Sequence, residues 1–384
     1  MLSFSFTKEQ LMIQKSIREF AEKELRPKYL DNDRTETFPK DQWKKMAEIG
    51  LTGLSVPTEF GGQPVDAVTA GIIIRELARE DPNCAVTGAL YALDEIIVRY
   101  GCEEIQNKWL SEIAKGEKMV ALAVTEPHCG SDVANMSTTA EKKDGYYIIR
   151  GEKSGISLMM DCDLLIIFAK TSPEKGVRGV SSFVVPMDGL KGVTRQAYHD
   201  MGMRAVRRGS VFFDDVKIPE TYLLGEEDRG FYQVMDTFDL LRLCLCMVGL
   251  GSAEKALEDT IEYVKQRTAF GKTLAQFEGV SFPIAEHYTK LQSAKWLCFN
   301  ALWAHDNNMK HTMETAMCKY YVPELATQVI HSCLLLHGHY GYTQDYSLEQ
   351  RLRDVIGLEF ADGTAQIQKI IISRELMGRE YLPY

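Results

Sequence analysis

The chain has 384 residues, of which 45% are hydrophobic and 26% charged, and a formal net charge of −10. That length allows two or three domains with sizeable cores, and the balance is that of a globular protein rather than a disordered or fibrous one. The acidic charge, with no basic block or stripe against it, excludes a nucleic-acid binder, and no apolar run approaches the length that spans a bilayer.

The opening Met1-Leu2-Ser3-Phe4-Ser5-Phe6 has neither a basic stretch nor a long apolar one, so a cytoplasmic location is expected. Thr7-Lys8-Glu9-Gln10 has the form of a capping box; Leu11, Ile17, Phe20, Ala21 and Leu25 follow at near-helical spacing, and Pro27 stops the run. A helical run at 40–49, a loop at Pro57-Thr58-Glu59-Phe60-Gly61-Gly62 and apolar segments at 68–78 and 85–100 complete an N-terminal helical domain over residues 1–118. Short segments rich in β-branched or aromatic residues follow at 120–124, 146–149, 164–168, 182–185 and 211–213. With turn signals at Asp144-Gly145 and Asp188-Gly189, they predict a small β domain over 119–228. Long helical patterns at 231–266, 277–307 and 311–337 and after Thr364 predict a four-helix bundle over 229–384. Pro283 and Pro323 are expected to delay or kink its second and third helices. The fold class is mainly α with a central β domain.

The nine cysteines form no Cys-x-x-Cys and the eight histidines no His-Glu-x-x-His, so reduced, mostly buried thiols and no metal site are expected. Gly249-Leu250-Gly251 lacks a preceding strand and a third glycine, and reads as close helix packing rather than a dinucleotide fingerprint.

Five segments in a fixed order carry the chemistry-bearing residues. They are Val124-Thr125-Glu126-Pro127-His128-Cys129-Gly130-Ser131-Asp132, Gly151-Glu152-Lys153-Ser154-Gly155-Ile156-Ser157 and Phe238-Asp239-Leu240-Leu241-Arg242, then Arg267-Thr268-Ala269-Phe270-Gly271-Lys272 with Phe277, and finally 353–368 with Ala361-Asp362-Gly363-Thr364. Taken singly, they read as a capped loop, a strand glycine at a bulge, an exposed Asp/Arg pair and a basic helix end before glycine. Together, over nearly the whole chain, they resemble the acyl-CoA dehydrogenases, flavoenzymes that remove a proton and a hydride from neighbouring carbons of a CoA thioester.

The resemblance implies bound FAD, contacted by Leu122, Val124, Thr125, Ser131, Ile156 and Ser157. It adds Arg267, Phe270 and Phe277 acting across a subunit interface, with Gly338, Thr364 and Gln366. It implies an acyl-CoA substrate held by Ser131, Asp239, Arg242 and Gly363, an electron-transfer flavoprotein as partner, and a homotetramer. A guanidinium such as Arg267 suits a diphosphate because it donates two parallel hydrogen bonds.

The chain departs from the family at several positions. Asp362 stands where most members have glutamate, and Ala361 where tyrosine is common. Gly155 replaces a tryptophan that lies against the flavin, Leu241 fills the position where some members carry the base, Glu278 replaces a glutamine, and Leu335 and His339 alter a segment that contacts the adenosine part. Asp is shorter than Glu by one methylene, about 1.5 Å, enough to spoil proton transfer to an unaltered substrate.

With Ala361 and Gly155 enlarging the site, a bulky or alicyclic acyl group is expected, such as cyclohexanecarboxyl-CoA or cyclohex-1-ene-1-carboxyl-CoA. The latter has no α proton, so its base must stand elsewhere. Asp94 is the candidate, the alternative being a solvated helix residue beside Glu95; Asp362, in turn, reads as base or as a cap on the last helix. The expected reaction is FAD-dependent dehydrogenation by proton abstraction and hydride transfer to flavin N5. The alternative is an enoyl-CoA reductase or a non-catalytic CoA-ester-binding flavoprotein.

Overall fold

Thr7 starts the first helix, α1 (Lys8–Phe20), with the expected reciprocal cap: its hydroxyl accepts from the Gln10 amide at 3.1 Å, and the Gln10 side chain accepts from the Thr7 amide at 3.0 Å. The computed structural model describes residues 5–381; residues 1–4, on which the expectation of a cytoplasmic location partly rests, lie outside them. Beyond Phe20 the chain does not stop at Pro27. It widens to a π turn (Ala21–Leu25), tightens to a 3-10 turn (Arg26–Lys28) that carries the proline in its first turn, and continues as α2 (Tyr29–Thr35).

There follow α3 (Lys40–Glu48), α4 (Ala67–Glu80), α5 (Pro82–Gly88), α6 (Leu90–Tyr100) and α7 (Glu103–Ala114). The predicted segment 85–100 is thus two helices meeting at Ala89, and α7 is additional to the expected set. α4 is buried along almost its whole length, packed between α1 and the bundle.

The β region is a seven-stranded sheet made of β1 (Val120–Ala123), β2 (Thr139–Lys143), β3 (Tyr146–Ile156), β4 (Leu164–Lys170), β5 (Val180–Pro186), β6 (Val193–Ala197) and β7 (Gly209–Pro219). The order is β1-β4-β2-β3-β7-β6, with β5 also paired to β4. Asp144 and Gly145 both take positive φ, 51° and 80°, as a tight hairpin between β2 and β3 requires. The β3/β7 pairing slips between Lys153 and Ile156, so the bulge read from Gly155 is present; its φ of 66° suits glycine.

The third region starts with α8 (Gly230–Gln266), turns through the short hairpin β8 (Thr268–Ala269) and β9 (Lys272–Thr273), and continues as α9 (Glu278–Asp306), α10 (Thr312–His337), α11 (Leu348–Ile356) and α12 (Ala365–Met377). α9 and α10 run through Pro283 and Pro323 instead of starting late. Proline's fixed φ is helical, and the lost backbone bond is outweighed by the packing of both helices on α8. All nine cysteines are free and all but Cys102 buried. Among the described residues no helix is long and apolar enough to cross a membrane.

Candidate active site

The three regions meet around one cavity of about 1510 Å³, lined by the end of β1, the bulge of β3, α5, α6, α8, α12 and the loop at 357–364. A single small-ligand pocket is roughly 300–1,000 Å³, so this space exceeds what one small ligand fills.

On the β side, Leu122, Val124, Thr125, Ser131, Gly155 and Ser157 line it. Their placement depends on a pair that the sequence reading quoted but gave no role. Lys153, wholly buried, donates to the Val124 carbonyl at 3.0 Å and to Glu126 at 2.8 Å, while Glu126 accepts from the Ser137 amide at 2.6 Å and the Thr138 amide at 3.0 Å. The Ser154 amide closes the cross-link on the Thr125 carbonyl at 2.9 Å. Two segments with hydroxyl and backbone donors are thereby fixed side by side. A Cβ built on Gly155 meets nothing within 4 Å, so a planar ring has room beside them, and the set fits a flavin. His128 and Cys129 bring ligand atoms close to Glu126, but the Glu126 oxygens are already taken by Lys153, Ser137 and Thr138. Ile156 lies behind this wall, buried and off the cavity surface.

On the helical side neither member of the Asp239/Arg242 pair is exposed: Arg242 is buried and Asp239 half-buried. Arg242 is 7% exposed, bridges Asp239 at 3.2 Å and donates through Nε to the Asp362 carbonyl at 2.9 Å; Asp239 accepts from the Thr312 hydroxyl at 2.7 Å. Leu241 lines the cavity beside them, so no carboxylate stands at the alternative base position.

Asp362 faces the cavity with Ala361, Gly363 and Thr364. Its φ is 52°, and it does not cap α12: that cap is Thr364, whose hydroxyl accepts from the Ile367 amide. Burial raises the Asp362 carboxyl above its ordinary range, opposed by the charges of Lys319 and Arg242.

Asp94 is not a solvated residue either. It is 4% exposed, its Oδ1 has no hydrogen-bond partner, and burial alone pushes its carboxyl well above the ordinary range. Leu90 and Leu93 of the same helix line the cavity, while Asp94 lies just behind that wall. A buried carboxyl oxygen without a partner is costly and marks a functional candidate.

The sequence reading also missed Asp354, which anchors the segment leading to Asp362. Its carboxylate accepts from the Tyr29 hydroxyl at 3.0 Å, the Asn83 side chain at 3.1 Å and the Met203 amide at 2.5 Å, one partner from each of three distant segments. Burial pushes it up to about 7. The available signal was an acid inside the otherwise amphipathic run that ends in Val355-Ile356.

Arg267, Phe270, Phe277, Gly338 and Gln366 do not line this cavity. Phe270, at the tip of the β8/β9 hairpin, is 97% exposed, and Arg267 lies over the Tyr340 ring at 5.7 Å. Leu335 is exposed, and His337 stacks on Tyr263 with ring centres 4.1 Å apart.

The chain matches the acyl-CoA dehydrogenase family along three stretches: its N-terminal domain over residues 7–117, its middle domain over 121–216 and its C-terminal domain over 228–377. It is 36% identical to the CarC subunit of the caffeyl-CoA reductase-Etf complex of Acetobacterium woodii, covering 97% of this chain and 100% of that one. It is also 36% identical to the acryloyl-CoA reductase (NADH) of Anaerotignum propionicum, covering 98% and 97%. The solved structure of butyryl-CoA dehydrogenase from Megasphaera elsdenii superposes with a TM-score of 0.94 at 30% identity, over 98% of this chain and 100% of that one.

Proposed function

The chain belongs to the acyl-CoA dehydrogenase family and is an FAD-dependent oxidoreductase of that type; on that premise we propose that it dehydrogenates a thioester whose acyl group is a ring, of the cyclohexanecarboxyl-CoA or cyclohex-1-ene-1-carboxyl-CoA class. The observation that carries this reading is the open space at Gly155 together with Ala361 in the same cavity. FAD, when bound, supplies the hydride acceptor. The Asp239/Arg242 pair, locked by Thr312, holds the CoA side, and the apolar wall of Leu90, Leu93 and Leu241 excludes water from the acyl end.

Asp362 takes the α proton of the saturated ring. The unsaturated ring has none, and its acidic proton sits on the ring carbon next to the double bond that is conjugated with the thioester; in this reading Asp94, just behind the Leu90/Leu93 wall, takes that one. Rapid mixing of the FAD-loaded protein with both ring thioesters and with butyryl-CoA tests the reading. Either ring compound is expected to bleach the flavin absorbance at least tenfold faster than butyryl-CoA, and the reverse order would refute it.

A second reading has its own support: two relatives are named as reductases of caffeyl-CoA and acryloyl-CoA. It predicts that the photoreduced protein is reoxidised by one of those enoyl thioesters faster than any saturated thioester bleaches the oxidised form. One of these relatives is a subunit of an Etf complex, which supports an electron-transfer flavoprotein as the redox partner here.

The exposed Phe270 and the position of Arg267 off the cavity support cofactor contacts between chains of a homo-oligomer. Arg267→Ala is expected to lower FAD content several-fold, read from the ratio of flavin to protein absorbance, without unfolding the chain. Unchanged content would make Arg267 a surface residue.

A further inference from the structure

Lys319, in the first third of α10, is 1% exposed, and both its hydrogen bonds go to backbone carbonyls: Leu358 at 2.8 Å and Gly363 at 3.3 Å. Burial pushes this ammonium down from its ordinary range, because an ammonium out of water needs opposite charge to repay its desolvation, and carbonyls alone repay little of it. The two carbonyls bracket the loop that carries Ala361 and Asp362, and Arg242 holds the same loop between them through the Asp362 carbonyl at 2.9 Å. Gln368 adds a bond to the Gly363 carbonyl at 3.2 Å. Around Lys319 the charged or titratable groups are Asp362, Glu359, Arg242 and the Cys246 thiol; around Asp362 they are Lys319 from α10 and Arg242 and the Cys244 thiol from α8.

We propose that Lys319 is a positioning residue of the reaction, tying both ends of the Asp362 loop and supplying a positive charge against which Asp362 carries its negative one. This rests on Asp362 as the base for the saturated ring, and its test is read at Asp362 itself. Burial opposes ionisation of that carboxyl, and the two cations are what counters it.

The test compares Lys319→Gln, which keeps a hydrogen-bond donor but no charge, with Lys319→Arg, which keeps the charge. The Asp362 carboxyl is followed by infrared difference spectroscopy, its band identified by loss in Asp362→Asn. In Lys319→Gln it should titrate roughly one pH unit or more above the wild type, and the acid limb of the pH profile for flavin reduction should move with it. Lys319→Arg should leave both near the wild-type position. A lysine that only supports the fold would lower thermal stability and leave the titration where it was, and that result overturns the proposal. If Asp362→Asn keeps full activity while the carboxyl still shifts in Lys319→Gln, the base assignment fails and the role of Lys319 as its counter-charge stands. Should Lys319→Gln not fold, Asp362→Asn decides: with the carboxylate gone, the Lys319 ammonium, followed by NMR, should titrate below its wild-type position, and an unmoved titration refutes the inference.

Discussion

Asp362→Asn is expected to retain FAD and thioester binding while flavin reduction by cyclohexanecarboxyl-CoA slows by about 10²–10⁴-fold, the usual contribution of a positioned base. Asparagine is nearly isosteric but cannot take the proton. Because the cap of α12 is the Thr364 hydroxyl, the exchange leaves that helix its N-terminal bond, and a rate loss cannot be ascribed to fraying. With cyclohex-1-ene-1-carboxyl-CoA the roles reverse: Asp94→Asn is the slow variant and Asp362→Asn keeps most of its rate.

Asp94 also makes a prediction about stability, with a definite sign. Its carboxyl is raised in the folded protein, so above the ordinary carboxylate range the unfolded chain ionises it while the folded chain keeps the proton. The contribution of Asp94 to stability is therefore fully present at low pH and declines as pH rises toward the folded value. Asp94→Asn should melt at a higher temperature than the wild type at neutral pH while being inactive on the unsaturated ring. Stability lost rather than gained, with activity intact, would reduce Asp94 to a structural residue.

The second large effect is expected at the Lys153–Glu126 pair. Lys153→Met removes the ammonium and leaves a buried carboxylate hydrogen-bonded only to Ser137 and Thr138, a loss of about 3–5 kcal/mol in a denaturant titration. FAD content should fall as well, since Lys153 also holds the Val124 carbonyl on the cavity wall. The pH dependence follows from Glu126. Its carboxyl is buried, which raises it, but Lys153 and the Ser137 and Thr138 donors win and hold it down at about 2. A depressed acid stabilises the fold above its unfolded value and loses that contribution as pH falls from about 4.5 to about 2. The amount is at most about 3 kcal/mol, and burial of Lys153, which pushes that ammonium down, subtracts from it. Lys153→Met should abolish this acid-sensitive component, and an unaltered acid limb would show that the pair does not set it.

How far the fold was legible depended on whether local chemistry and tertiary packing agreed. The cap at Thr7 and the turn at Asp144-Gly145 involve only neighbouring residues, and both form as expected. β2 and β6 did not stand out because Thr139-Ala140-Glu141-Lys142-Lys143 and Val193-Thr194-Arg195-Gln196-Ala197 are largely polar; each is a strand because its neighbours in the sheet supply the ladder. α9 and α10 pass through proline because the bundle, not the local backbone, fixes them.

At the site, Leu122 of β1, Gly155 of β3, Asp239 and Arg242 of α8 and the Asp362 loop were legible and line one cavity, whereas Ile156 lies behind it. Glu126, Lys153, Lys319 and Asp354 were not given roles, since each acts by gripping backbone from a distant segment, and such a grip leaves no spacing in the chain to read. Lys319 left one trace, a lone charge in Cys318-Lys319-Tyr320-Tyr321 of a core helix.

α8 is 37 residues long. Arg242 points into the cavity from its first half, and Arg267 closes its far end, 25 residues later, or about 37 Å at 1.5 Å per residue. A rigid rod of that reach works as a ruler. It sets Arg267 away from the cavity its own chain encloses, so under the proposed homo-oligomer a phosphate gripped by this arginine would belong to another chain's site. Occupied sites would then come in pairs, and a preparation mixing Arg267→Ala with Asp362→Asn chains would contain some sites in which neither defect is present.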